Sequence, residues 1–300
     1  MNRVNPTSEV RRGTTQPPRS DFTDLRQTEE WGRFLQTTGW VVKKITTKSH
    51  HPRSSRFHRD HHRRSDFIFC FIRKIPLIHF SIMKVQRFDG EINWNDFNKL
   101  KYKHKIVYSS FEPKVEIVNL KKTESFLPTK TIIINLKKSK DVLWKNLSSN
   151  AKRIINRKDG VVVKKVRGER FLCEWKKANS TWSWGFAKQK KLIEAFGNKA
   201  GMFVSKKGNK WLSGILILKS DDACFYFQTW TNKKGRELGA HYKLVWEAIL
   251  DAKNEGFSYF DFEGIEDSRY PRKSWSGFSE FKKKFGGEEV IFPGCFGRWF

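Results

Sequence analysis

Acidic residues are in short supply in this 300-residue chain. Only 31 Asp and Glu stand against 60 Lys and Arg, for a formal net charge of +29. Self-repulsion on that scale opposes compaction, so the imbalance points to a polyanionic partner, either nucleic acid or an anionic membrane surface. Cysteine is scarce too. Cys70, Cys173, Cys224 and Cys295 form no CxxC pair, which excludes ordinary zinc spacing and a disulfide framework and suits a reducing, cytoplasmic compartment. Long apolar runs are missing. The most apolar stretch, Phe67 to Ile72, is too short to cross a bilayer, and no apolar segment follows the basic first residues, so no signal peptide is read there.

What is present suffices for a core, with 38% hydrophobic and 15% aromatic residues. Residues 1–20 are polar, basic and punctuated by proline, the composition of a disordered tail. Lys48 to Arg64 holds His50, His51, His58, His61 and His62. HxxxH spacing alone is weak evidence for a metal site, and no carboxylate or Cys partner sits at ligand spacing. A basic surface loop is the expectation, with no metal.

The second half reads as β-α-α-β-β-β-α-β-α. Val161 to Val166 is a β-branched strand. Helical spacing follows over Gly168 to Ala178 and Phe186 to Phe196. Strands are expected over Gly201 to Ser205, Trp211 to Leu218 and Ala223 to Trp230, joined by the turns KKGN and KSDD. Leu238, Tyr242, Val245, Trp246, Ile249 and Ala252 share a helical face that Gly256 closes. In FSYFDFEG, Phe260 and Phe262 alternate with Tyr259, Asp261 and Glu263, a strand period. FSEFKKKFGG places Phe278, Phe281 and Phe285 on one helical stripe. This is the element order of a GNAT acyltransferase. The first half shows a worn version: a helix over Thr28 to Thr37, strands Trp40 to Ile45, Asp66 to Arg73 and Phe80 to Gln86, a helix Trp94 to Lys101 and a strand Lys105 to Phe111. The expected fold class is α/β (α+β), with two tandem GNAT-like subdomains whose mixed, mostly antiparallel sheets are flanked by helices. The expected boundaries are a tail 1–20, subdomains 21–155 and 156–288, and a C-terminal segment 289–300 that returns to the first subdomain.

Several strings resemble the FemABX family of peptidoglycan bridge-forming aminoacyltransferases, from about Gln27 to Gly294. QTEEWGRFLQTTGW is similar to the family's opening helix, FIRKIPLIHFSIMKVQR to its Arg-x-x-Pro…Arg strand pair, and NAKRIINRKDGVVV to its basic helix before Gly-Val. The closing trio LGAHYKLVWEAILDAKNEG, YFDFEG and FSEFKKKFGG is the strongest match. The resemblance implies a cleft between two GNAT-like units, aminoacyl-tRNA as donor, and the stem-peptide amine of a peptidoglycan precursor as acceptor, either lipid II or a nucleotide-linked muropeptide. It implies no cofactor. No heptad run is present, so the coiled-coil arm of some members is not expected. A monomer in the cytoplasm is expected, with peripheral contact to the inner membrane face.

An aminoacyl ester is already activated, so the enzyme must align the amine and stabilise the tetrahedral oxyanion. The family's Phe-Lys pair, which contacts the donor's aminoacyl end, maps onto Phe281 and Lys282. On periodicity alone, Phe281 is a core residue and the lysines are a solvated face. Asp261 or Glu263 could accept the ammonium proton, or could be salt-bridging acids in a basic protein. Tyr242 and Trp246 either line the acceptor groove or pack the core. Tyr226, Gln228 and Trp230 alternate with Phe225 and Phe227, and one face should meet the cleft. Arg153, Arg157, Lys158, Lys164 and Lys165 offer a phosphate-binding segment or a solvated helix. The family's precursor-phosphate positions fall near Arg33 or Leu35 and near Ser183, where no Arg stands. That departure favours a lipid-linked acceptor. Two rivals remain. An acyl-CoA-dependent GNAT would use Arg236, Gly239 and His241 as its pyrophosphate turn, but His241 stands where a small residue is needed. An RNA-binding module would suit the charge, yet no RNP, KH or GxxG signature is present.

Overall fold

The computed structural model describes residues 22–48, 66–117, 119–178, 185–271 and 273–300. The expected tail (1–20), the basic loop beyond Lys48 and the Ser183 position lie outside them. The chain enters through α1 (Glu29–Gln36), where the Thr28 side chain caps the helix by accepting from the Trp31 N–H. β1 (Val41–Lys48), β2 (Phe67–Lys74) and β3 (Ser81–Phe88) form an antiparallel meander. After β4 (Glu91–Ile92) and α2 (Trp94–His104), β5 (Ile106–Pro113) lies parallel to β3. β6 (Lys121–Thr123) closes this run.

The chain then crosses to a second sheet. β7 (Lys130–Asn135), α3 (Lys140–Asn146), α4 (Ser149–Ile155), β8 (Val161–Val166), α5 (Glu169–Ala178) and α6 (Phe186–Phe196) come first. The antiparallel β9 (Ala200–Lys207), β10 (Lys210–Lys219) and β11 (Ala223–Thr231) follow. Next are α7 (Lys233–Leu238) and α8 (Ala240–Asn254), then β12 (Tyr259–Asp261), parallel to β11. α9 (Ser276–Lys283), β13 (Glu288–Ile291) and β14 (Cys295–Trp299) end the chain. The strand orders are β4-β1-β2-β3-β5-β14-β6 and β13-β7-β12-β11-β10-β9-β8.

Both sheets are mostly antiparallel with one parallel pair each, and helices flank them. Two details differ from the sequence reading. β7, α3 and α4, placed by sequence within 21–155, belong to the second sheet, because β7 pairs with β12 and β13. The long helix expected through Leu238 is broken at Gly239, whose left-handed φ of 64° separates α7 from α8. β14 pairs with β5, so the last strand lies in the first sheet.

Three cores make the layers. α2 covers the outer face of the first sheet through Phe97, beside Phe111 and Phe88. α1, α5 and α6 fill the middle, packing Trp31, Phe34, Phe171 and Phe196 against Phe69 and Phe71 of one sheet and Leu216 and Phe225 of the other. α3, α4, α8 and α9 cover the far face of the second sheet around Phe260, Phe262, Val245 and Phe285. The site is built where the middle layer and the far layer meet at the end of β12.

Candidate functional site at the open end of the second sheet

β11 and β12 pair only over Ala223–Phe225 and Tyr259–Asp261. Beyond that point β12 turns away, with Glu263 at φ 59° and Gly264 at φ 117°. A non-glycine residue at positive φ is strained, and these two residues turn the chain just past the last β11–β12 pair, where the sheet is left with a notch. On the α8 side, Lys282 of α9 reaches in and donates to the carbonyls of Phe262 (2.7 Å) and Gly264 (2.6 Å). Its ammonium lies 5.3 Å from the Tyr226 ring centroid and 4.9 Å from that of Phe278. Lys282 is 7% exposed. Burial pulls its pKa down to about 8, against the opposing pull of Glu263 and Asp261. It therefore remains mostly charged at neutral pH, with one ammonium N–H beyond the two carbonyl bonds.

The solvated-face reading of Lys282 thus gives way to a buried, anchored cation. Lys283 is the exposed one, paired with Glu280 at 3.3 Å. Phe281 is half-buried, with its ring 5.3 Å from His241 and 4.8 Å from Tyr242. Phe278 leaves the expected core stripe, is 38% exposed, and packs on Trp275 over the Lys282 ammonium. Beneath them the Tyr226 hydroxyl and His241 Nε2 share a 2.6 Å hydrogen bond. Burial lowers the His241 pKa to about 4, so the ring is neutral.

Asp261 and Glu263 face the other way, into the junction between the two sheets. Asp261 is 4% exposed and accepts from the Thr131 hydroxyl (2.5 Å) and the Glu263 N–H (2.8 Å). Burial, joined by the Glu263 charge, raises its pKa to about 7. Glu263 takes a bidentate pair from Arg26 at 2.7 and 2.5 Å, and Arg26 also pairs with Asp24. Burial works against the Arg26 charge, but Glu263 and Asp24 outweigh it. Arg87, also at positive φ, donates to the Pro128 carbonyl and lies 3.7 Å from the Phe292 ring centroid. Asp261 and Lys282 therefore sit on opposite sides of one strand end rather than in one cleft: Asp261 is held by Thr131 toward the sheet junction, whereas Lys282 enters from α9 on the side of Phe262.

Next to this strand end lies a cleft of about 340 Å³, lined by Pro128, Thr129, Ile265, Tyr270 and Trp275 together with Asp267 and Arg269. Burial alone would raise the Asp267 carboxyl. Hydrogen bonds from Arg269 and Thr129 outweigh it and hold the pKa at about 2. Glu112 props the connecting loop by accepting from Ser125 Oγ and from the N–H groups of Phe126 and Leu127.

Other sequence candidates scatter. A bulge in the β10–β11 register between Leu216 and Ile217 breaks the alternation of β11. Tyr226 consequently faces the α8 core, whereas Trp230 packs with Phe171 in the middle layer, 3% exposed. Gln228 is half-buried opposite Leu216. Trp246 is 5% exposed against Trp144, a core contact. Tyr242 packs on Phe281 and Phe285 and takes a 3.2 Å bond from Lys284. Arg33 is exposed, bonded to Glu30 and the Ala195 carbonyl. Arg153 is exposed beside Asn150, and the Arg157 carbonyl anchors Lys243. Residues that sequence reasoning gave no role include Arg26, Arg87 and Lys84. Lys84 lies 4.5 Å from the Trp40 ring centroid, and burial lowers its pKa to about 8. Arg87 and Arg73 did stand in the string that carried the family resemblance, and their positions in strands could have singled them out.

At the turn an acyl-CoA enzyme would use, the one glycine amide is already engaged. The Gly239 N–H is bonded to Arg236 and Gly235 carbonyls, and a Cβ at Gly239 would lie 2.7 Å from Ile154 Cγ2 of α4. No group of three or more His, Cys, Asp or Glu able to hold a metal ion occurs among the described residues. No helix among them is long and apolar enough to cross a membrane.

Residues 185–298 match the FemAB family. No curated protein matches the chain in sequence. Among solved structures, FemX superposes with a TM-score of 0.74 at 14% identity, covering 95% of this chain and 94% of FemX. A tandem GNAT protein from the clavulanic acid biosynthesis pathway gives 0.50 at 9% identity, covering 87% and 83%. The sequence match over the second sheet's closing elements and the FemX fold over nearly the whole chain together support the FemABX family read from the sequence.

Proposed function

We propose that this chain is an aminoacyltransferase that moves an amino acid from aminoacyl-tRNA to the stem-peptide amine of a peptidoglycan precursor. The observation that carries the reading is the buried, charged Lys282 at an open strand end, beside a turn whose Gly239 N–H is already bonded within α7. The donor ester would enter the notch with its aminoacyl end against Phe281 and Lys282. The acceptor amine attacks the ester carbonyl, and the remaining N–H of Lys282 meets the oxyanion that forms. Collapse releases the ribose hydroxyl, which takes the proton lost by the amine. Phe262 and Gly264 carbonyls hold Lys282 in place, so little reorganisation accompanies the charge. Asp261 and Glu263 act through Lys282, keeping it charged despite burial. The adjoining cleft, with Tyr270 and Trp275, suits the stem peptide.

The test is incubation of the protein with a mixed pool of charged tRNAs and lipid II, or a nucleotide-linked muropeptide, followed by mass measurement of the acceptor. A gain of one or more amino-acid residues is expected. Consumption of acetyl-CoA, with no mass gain from charged tRNA, would replace this reading with a CoA-dependent N-acyltransferase.

A further inference from the structure

The hairpin between β2 and β3 ends in a tip that soluble proteins ordinarily make polar. Its residues run Ile75-Pro76-Leu77-Ile78-His79-Phe80. The Ile78 N–H bonds back to the Ile75 carbonyl, and the Ile75 N–H to the Phe80 carbonyl. Leu77 holds a φ of 68°, in a turn position where Gly or Asn is the usual occupant. It is fully exposed at 105%, with Ile78 at 50% and Phe80 at 47%. A strained leucine standing in water gains nothing from packing in this structure.

The surroundings are cationic. No Asp or Glu occurs between Asp66 and Asp89, or between Asp96 and Glu112. The Ser81 N–H bonds to the Lys105 carbonyl, which sets the last turn of α2 at the base of the hairpin. That turn carries Tyr102, 73% exposed, and Lys103. Lys43, Lys74 and Lys103 all press their charge on His104, so these cations share one end of the sheet.

We propose that this hairpin tip inserts into the headgroup region of an anionic bilayer, with Leu77, Ile78 and Phe80 in the acyl boundary and Lys74, Lys103 and Lys105 on the phosphates. Aliphatic tips ringed by lysine suit a lipid surface. Nucleic acid is met by cations and stacking aromatic rings, and although Phe80 and Tyr102 are exposed here, the side chain standing furthest into water at the tip is the aliphatic Leu77. β3 runs from Ser81 beside the tip to Arg87 at the sheet junction, six residue steps or about 20 Å. The membrane contact would therefore hold the strand end at a short, fixed height above the lipid. Vesicle binding tests this without any assumption about the reaction.

The experiment is sedimentation of the full chain with vesicles of phosphatidylcholine alone or mixed with phosphatidylglycerol. Binding to the mixed vesicles is expected, and the double variant Leu77→Asp/Ile78→Asp should weaken it by roughly tenfold or more. Leu77→Gly should weaken it too while raising the melting temperature, because glycine relieves the positive φ. A Leu77→Cys variant carrying an environment-sensitive dye, in a Cys173→Ser background, should shift to the blue on mixed vesicles. Undiminished binding by the double variant, no binding by the wild type, or a dye that stays in water would each overturn the proposal. Loss of tRNA binding in the double variant, with vesicle binding intact, would overturn it in favour of nucleic acid.

Discussion

Each sheet of this molecule has one parallel strand pair, and the two pairs end in opposite ways. In the first sheet, β3 and β5 stay partnered at seven positions from Ser81–Ile106 to Phe88–Pro113. In the second, β11 and β12 part after three. A strand that leaves its neighbour exposes carbonyls and N–H groups that must find other partners. Lys282 is the substitute: its ammonium takes the Phe262 and Gly264 carbonyls at the point where β12 departs. The first sheet needs no such cation because its pair is zipped shut. An open notch in a sheet is thus bought with a buried charge, and that charge is what an acyl-transfer site can use.

The largest effect should come from the clamp that holds the two sheets together at this notch. Arg26→Met leaves Glu263 and Asp24 buried without their partner. Breaking a buried pair in this way costs about 3–5 kcal/mol, and the loss is expected in urea unfolding. A loss no greater than that of an exposed pair would mean that the junction relaxes and that the clamp is not what orients β12.

Lys282→Met tests the notch itself. If Lys282 meets the oxyanion, turnover should fall on the order of a hundredfold, about 3 kcal/mol, and the melting temperature should fall too, since two carbonyls lose a donor. Lys283→Met, on the exposed side of α9, should change neither. To separate strut from catalyst, the pH profile is decisive. With a pKa near 8, the wild type should lose the Lys282-dependent part of its rate as pH rises through 8, whereas Lys282→Arg should show no such limb.

The cores were legible in the sequence, and the junction was not. Period and β-branching locate the strands of the meander and the helices α5, α6 and α9 within one to three residues, the end of β1 at Lys48 being the widest miss, because burial of one face writes itself into local spacing. The notch has no such signature. The bulge that sends Tyr226 and Trp230 to different layers arises from pairing with β10 and leaves no mark in β11 alone. The Arg26–Glu263 pair joins residues 237 positions apart, and nothing in a single sequence links them. β7 was missed because KTIIIN is a short run whose partners, β12 and β13, come more than a hundred residues later. Lys282 was found through the resemblance, while its burial was not, since an i,i+3,i+4 pattern reads lysine as solvent-facing.

Asp261 and His241 give the notch opposing pH signatures. Asp261 is raised in the fold to about 7, so its stabilising share is present below its unfolded pKa and is lost as pH rises through 7. His241 is depressed to about 4, so stability rises with pH between about 4 and its unfolded value near 6.5. The two slopes partly cancel in the wild type. Asp261→Asn should leave the His241 limb alone, so stability should rise with pH up to about 6.5 and then level. Chemical unfolding followed across pH 4 to 8 reads this, and an unchanged curve would remove Asp261 as the carrier of the loss between about pH 4 and 7.

The smallest expected effect bears on which half of the molecule would meet the proposed tRNA donor. Arg153 stands on α4, over the far face of the second sheet, and Arg33 on α1, near the first. Both are exposed, and each is tied only to nearby groups, so alanine at either site should change stability by no more than about 0.5 kcal/mol. Binding separates them. A lysine or arginine that neutralises one phosphate releases its counterion, so its removal should lower the slope of log affinity against log salt by about 1. If the donor approaches from the open, second-sheet side, Arg153→Ala should reduce the slope and Arg33→Ala should not. Equal reductions would place the tRNA across both sheets. A reduction confined to Arg33→Ala would put the donor on the zipped half, and would break the division of labour drawn from the two strand pairs.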